Sequence, residues 1–89
     1  MYAYLRYGGH IAILAGREKD VLDVGKAHSI ADVISKLDRK HTGFKDIFMP
    51  KGKIFNFNTA IYIRRVGEPS ISVIDENEKV KEGDIIYFW

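Results

Sequence analysis

Three histidines, twelve carboxylates and no cysteine are the residues of this 89-residue chain from which a reaction centre would be built. A metal site needs ligands at short, regular spacing, such as H-x-x-x-H on one helical face. His10, His28 and His41 are scattered and form no such group. Without cysteine there is no disulfide, no thiolate zinc site and no thiol nucleophile, which suits a cytoplasmic protein. There is no G-x-S-x-G nucleophile turn, and Gly8, Gly9 and Gly16 lack the G-K-[ST] ending of a phosphate-cradling loop. Asp84, following Gly83, reads as a turn residue. Arg39-Lys40-His41, Lys51 and Lys53 read as solvated charge, and His28 as a surface residue. The expectation is a non-enzyme with no catalytic residue, no cofactor and no metal.

The elements that could position a binding surface are easier to read. The apolar content of 46 % with 29 % charge is that of a folded chain. A polypeptide this short buries roughly 60–65 % of its unfolded surface, enough for one core and no deep cleft. One domain over residues 1–89 is expected. No apolar run approaches the ~20 residues of a membrane span. The opening MYAYLRYGGH lacks the basic-then-apolar order of a secretory signal. Net charge is +2 with acids and bases interleaved, so composition gives no nucleic-acid footprint.

Period-2 alternation predicts a strand over residues 2–7, ended by Gly8-Gly9. Residues 10–14 suit a turn or a single helical turn, and residues 20–24 a second strand. Ser29 followed by Ile30, Val33, Ile34 and Leu37 is an i, i+3, i+4, i+7 stripe, and Ser29 with Asp32 makes a capping box. Gly43 is the expected left-handed stop of that helix. A short helical turn over 44–49, a turn at Pro50-Lys51-Gly52, and strands over 60–65, 71–74 and 84–89 complete the order. One helix with one apolar stripe must lie on a sheet, which makes the class α+β.

This order and its motifs resemble the MoaD/ThiS sulfur-carrier group of the ubiquitin-like, or β-grasp, fold. YLRYGGHIAILAGREKDVLDV is similar to that group's first strand, helical turn, glycine and second strand. HSIADVISKLDRKH resembles its capped helix, PKGKIFNFNTAIYIRRVGEP its turn and third strand, and VKEGDIIYF the turn into its last strand. The resemblance implies a mixed sheet of four to five strands with one main helix packed on one face. It also implies a role as carrier, in which a terminal glycine carboxylate is adenylated and becomes a thiocarboxylate or an isopeptide. Two departures stand out. Arg65-Val66-Gly67-Glu68 replaces the group's Asn-Gly-Glu, and Trp89 stands where the group continues to a Gly-Gly end. A bulky ring cannot thread into an active site as glycine does. On the sequence as it stands, a protein-interaction module unable to form a thiocarboxylate is expected. The alternative is a working carrier for molybdopterin, thiamin or tRNA thiolation, given a native Gly-Gly tail.

The resemblance further implies that the first and last strands lie side by side mid-sheet. If Ala3, Leu5, Ile61, Ile63, Ile86 and Phe88 face the helix, alternation sends Tyr2, Tyr4, Arg6, Tyr62, Arg64, Ile85, Tyr87 and Trp89 outward. A one-sided sheet normally shows polar residues there. Aromatics and arginines are the types enriched in interface hot spots. These eight are the expected interface to a protein partner, with an adenylating enzyme or a synthase large subunit as candidates. Two other readings stay open: simple strand preference of Tyr and Trp, and cover by a folded-back loop over residues 52–58. Self-association through the same patch is a further option. Single-stranded nucleic-acid binding by ring stacking is a disfavoured alternative, and no membrane is expected.

Overall fold

Strand β1 (Tyr2–Tyr7) alternates outward and buried residues, with Ala3, Leu5 and Tyr7 pointing into the core. The computed structural model describes residues 2–26, 29–55 and 58–89. Helix α1 (Gly9–Ala15) follows at once and buries Ile11 and Ala15. It is a seven-residue helix where the sequence predicts at most one turn. Its apolar run is too short to show a helical stripe, and Gly16, at φ 74°, closes it. Strand β2 (Lys19–Asp23) pairs antiparallel with β1, shifted one residue earlier than expected.

Helix α2 (Ile30–Lys40) is the predicted one. The Ser29 hydroxyl accepts the Asp32 N–H, and Ile30, Val33, Ile34 and Leu37 are all buried. It ends at His41, whose N–H reaches the Leu37 carbonyl. Gly43, at φ 114°, therefore opens helix α3 (Phe44–Phe48) instead of stopping α2 directly. The Asp38 carboxylate accepts the Gly43 and Lys45 N–H groups and fixes the corner. On α3, Phe44 and Phe48 are buried and Ile47 is exposed.

Strands β3 (Ile61–Arg64), β4 (Ile71–Ser72) and β5 (Ile85–Phe88) complete a five-stranded sheet in the order β2-β1-β5-β3-β4. β1 and β5 are parallel neighbours at its centre, as the resemblance implies; the other pairs are antiparallel. One face lies under α2 and α3. There Phe44, Phe48 and Phe88 meet, with Phe48 and Phe88 centroids 5.1 Å apart and Phe44 and Phe88 edge-to-face at 5.5 Å. No described helix is long and apolar enough to cross a membrane.

Candidate protein-interaction face

The opposite face of the sheet carries no described helix. Its composition follows from strict alternation in β1, β3 and β5. Ala3, Leu5, Tyr7, Ile61, Ile63, Ile86 and Phe88 are buried. Tyr2, Tyr4, Arg6, Tyr62, Arg64, Ile85 and Tyr87 occupy the alternate positions, each exposed or half-buried. Pairing sets them in two rows across the strands. One row runs Val21, Tyr4, Ile85, Arg64; the next runs Lys19, Arg6, Tyr87, Tyr62. Within strands β1, β5 and β3, Tyr4, Ile85, Tyr87 and Tyr62 thus adjoin one another between Arg6 and Arg64, with Tyr4 41 % and Tyr62 40 % exposed. The structure brings the predicted residues of β1, β3 and β5 together on one surface.

Trp89 is a partial exception. It extends the β5–β3 ladder by exchanging both backbone bonds with Ala60, at 2.9 and 3.1 Å. The residue is 57 % exposed, but its indole lies against Gly8, at the end of β1. A Cβ on Gly8 would sit 2.6 Å from Cδ2 and Cε2 of that ring. The ring is therefore held by its own chain and borders a shallow groove with His10, Ile47 and Thr59. The aromatic finish of β5 serves the fold as well as the surface.

The segment after α3 does not close the face with its described residues. The Phe55 N–H bonds the Phe48 carbonyl, the Ile54 N–H bonds Glu76, and Ile54 packs on the core. Asn56 and Phe57, part of the loop weighed as a cover, lie outside the described residues, as does His28.

Two polar clusters were not foreseen. Asp20 is buried on the helix side of β2. Lys40 Nζ bonds both its oxygens at 2.8 and 3.0 Å, the Tyr7 hydroxyl donates to it at 3.3 Å, and Arg17 Nη1 lies 3.6 Å away. Burial pushes the Asp20 carboxyl up. The Lys40 and Val21 N–H bonds, with the Lys40 and Arg17 charges, pull it down further, to below its ordinary value. Burial first, then the Asp20 charge and hydrogen bond, raises the Tyr7 phenol. His41 Nε2 is buried 3.7 Å from Asp20 and bonds no described group. Of the residues expected as solvated charge, Lys40 stays exposed while it pairs with Asp20, and His41 departs, walled in beside Tyr7 and Phe44. Asp84 is more than a turn residue. It is buried, bonds Arg65 Nε at 3.1 and 3.2 Å, and accepts the Lys81 N–H. Arg65 in turn reaches the Lys79 carbonyl at 2.7 Å and ties β3 to the approach to β5. Among the described residues no group of three His, Cys, Asp or Glu could hold a metal ion.

No family model matches this chain, and no curated protein matches it. Solved structures do. Putative molybdopterin converting factor subunit 1 from Pyrococcus furiosus is 17 % identical, with a TM-score of 0.72, covering 99 % of this chain and 94 % of its own. SAMP1 from Haloferax volcanii is 19 % identical with a TM-score of 0.72, over 100 % and 93 %. The BexX/CysO complex from Amycolatopsis orientalis contains a chain 18 % identical, with a TM-score of 0.75, over 98 % and 92 %. At these identities the shared property is the fold. The helix-covered mixed sheet with parallel central β1 and β5 is the ubiquitin-like β-grasp, and this chain is a β-grasp protein.

Proposed function

We propose that the protein is a non-catalytic, ubiquitin-like interaction module that docks a protein partner on the uncovered sheet face. The observation that carries this reading is the face itself: Tyr2, Tyr4, Arg6, Tyr62, Arg64, Ile85 and Tyr87 aligned on one side of three neighbouring strands. Contiguous aromatic surface bordered by polar residues marks a partner site more often than a solvent face. Tyrosine suits it, offering large area at low entropic cost with a hydroxyl for the rim. The β-grasp neighbour solved as a BexX/CysO complex supports a protein as the class of partner. Trp89, already seated on Gly8, contributes at the border.

The test is recovery of partners by the full chain and by Tyr4→Ser plus Tyr87→Ser, quantified by mass spectrometry. The expected result is loss of a reproducible partner with unchanged circular dichroism. Equal recovery would count against the face. A second reading, carriage of sulfur at a glycine pair for molybdopterin, thiamin or tRNA thiolation, draws on the molybdopterin-converting-factor neighbour. It requires glycines beyond Trp89 in the natural polypeptide, and the intact mass of the protein from its source decides between the two. An adenylating enzyme or a synthase large subunit is the partner that this second reading names.

A further inference from the structure

The uncovered face carries a charge pattern that its aromatic content does not require, and the meaning of that pattern rests on the face being the docking site. Arg6 and Arg64 stand at opposite corners of the centre formed by Tyr4, Ile85, Tyr87 and Tyr62. Most cations near the core are spoken for: Lys40 and Arg17 by Asp20, and Arg65 by Asp84. Arg6 and Arg64 form no ion pair with any described residue. Arg6 bonds only its neighbour's carbonyl, Leu5, at 3.0 Å. Two arginines without a described carboxylate, placed across an aromatic and apolar centre, leave guanidinium donors available to whatever covers the face.

The lattice of the sheet fixes their separation. Two strand spacings across and one side-chain repeat along put the Cα atoms of Arg6 and Arg64 roughly 12 Å apart. In an extended segment, residues i and i+4 lie about 13 Å apart on the same side, with residue i+2 between them. We propose that the partner presents a short extended segment with carboxylates at i and i+4 and an apolar residue at i+2. The carboxylates meet Arg6 and Arg64, and the apolar side chain rests on Ile85 and Tyr87. A second copy of this chain would bring the same arginines against each other. A nucleic-acid strand would use the rings, but its phosphates need a continuous cationic track. Here Asp23 and Glu82 border the Tyr2 end and interrupt one.

The test titrates the full-length, isotope-labelled protein, followed by amide NMR, with three probes. These are a pentapeptide with glutamate at positions one and five and leucine at three, the same peptide with glutamine for glutamate, and oligothymidylate. Expected are shifts centred on Arg6, Arg64, Ile85 and Tyr87, with the glutamate peptide binding about tenfold more tightly than the glutamine one. That margin should vanish for Arg6→Gln plus Arg64→Gln and shrink severalfold between 20 and 200 mM salt, as screening predicts for exposed pairs, with salts chosen to bracket a Debye length of ~10 Å. Equal binding of both peptides, or preference for the oligonucleotide, overturns the acidic segment while leaving the face in use. Shifts confined to α1 or the β4 edge overturn the face as well, and failure of every probe to bind overturns the proposal.

Discussion

A methyl group on residue 8 would meet the indole of Trp89 at 2.6 Å, closer than any relaxed contact allows. Gly8 is extended, at φ −122° and ψ 158°, so alanine is strained there only by the ring. Gly8→Ala should therefore push the exposed indole aside, at a cost of up to about 1 kcal/mol. The same change in a Trp89→Ala background should cost almost nothing. Urea midpoints of the four proteins close that cycle, and a full cost in both backgrounds would refute the contact. Asp20 supplies a second residue-level argument. Lys40→Met leaves its carboxylate buried with Tyr7, Val21 N–H and Arg17 as remaining support, at a cost of about 1–3 kcal/mol at neutral pH. The folded pKa lies below 3.8, so the stability Asp20 contributes is present above that pH and lost as pH falls through the folded value. Asp20→Asn should flatten the acid limb of the stability curve below about pH 4. Denaturant midpoints from pH 7 to 2 that run parallel to wild type would show that Asp20 carries no such linkage.

At the level of elements, α2 rests on a cap that can be removed without touching the sheet. Ser29→Ala should lower stability by about 1 kcal/mol and leave binding at the uncovered face unchanged, as measured by thermal melts and the peptide titration. That cap and stripe were legible because both are local patterns, readable from residues 29–37 alone. The alternation of β1, β3 and β5 was legible for the same reason, and with it the outward position of the seven strand residues from Tyr2 to Tyr87. β2 was not. An acid at the buried position 20 breaks the pattern, and only Lys40, twenty residues away, makes that position tolerable. The ties of Lys40 and His41 are hidden likewise: their sequence surroundings are charged, while their partners come from β1 and β2. Asp20 also guards an edge that periodicity cannot reveal. In the β1–β2 register the Val21 N–H points away from β1, and Asp20 Oδ1 accepts it at 2.9 Å. The middle donor of that edge is thus withdrawn from pairing with another chain. The stacking of Trp89 on Gly8 needed the parallel pairing of β1 with β5, which no local signal carries.

For the whole molecule, a net charge of +2 understates the asymmetry that matters. Arg6 and Arg64, which pair with no described carboxylate, sit on the one sheet face without a described helix, and the central edge donor of β2 is closed. Association with a second copy through this face would bring Arg6 and Arg64 of each copy into a layer already occupied by cations. The aromatic centre attracts and the arginines repel, and salt acts on these two terms with opposite sign. The Debye length falls from roughly 30 Å at 0.01 M to ~10 Å at 0.1 M, so added salt screens the repulsion over a distance close to that between the arginines. Self-association should accordingly be weakest at low ionic strength and rise with added salt, whereas binding of an acidic partner segment should fall. Sedimentation equilibrium of wild type and of Arg6→Gln plus Arg64→Gln reads this directly. The wild type should stay monomeric at 10 mM salt, and the variant should associate more at that salt and lose the dependence. A wild type that dimerises at low salt and dissociates at high salt would mean that opposite charges meet across the contact, and the face would then belong to a second copy of this chain.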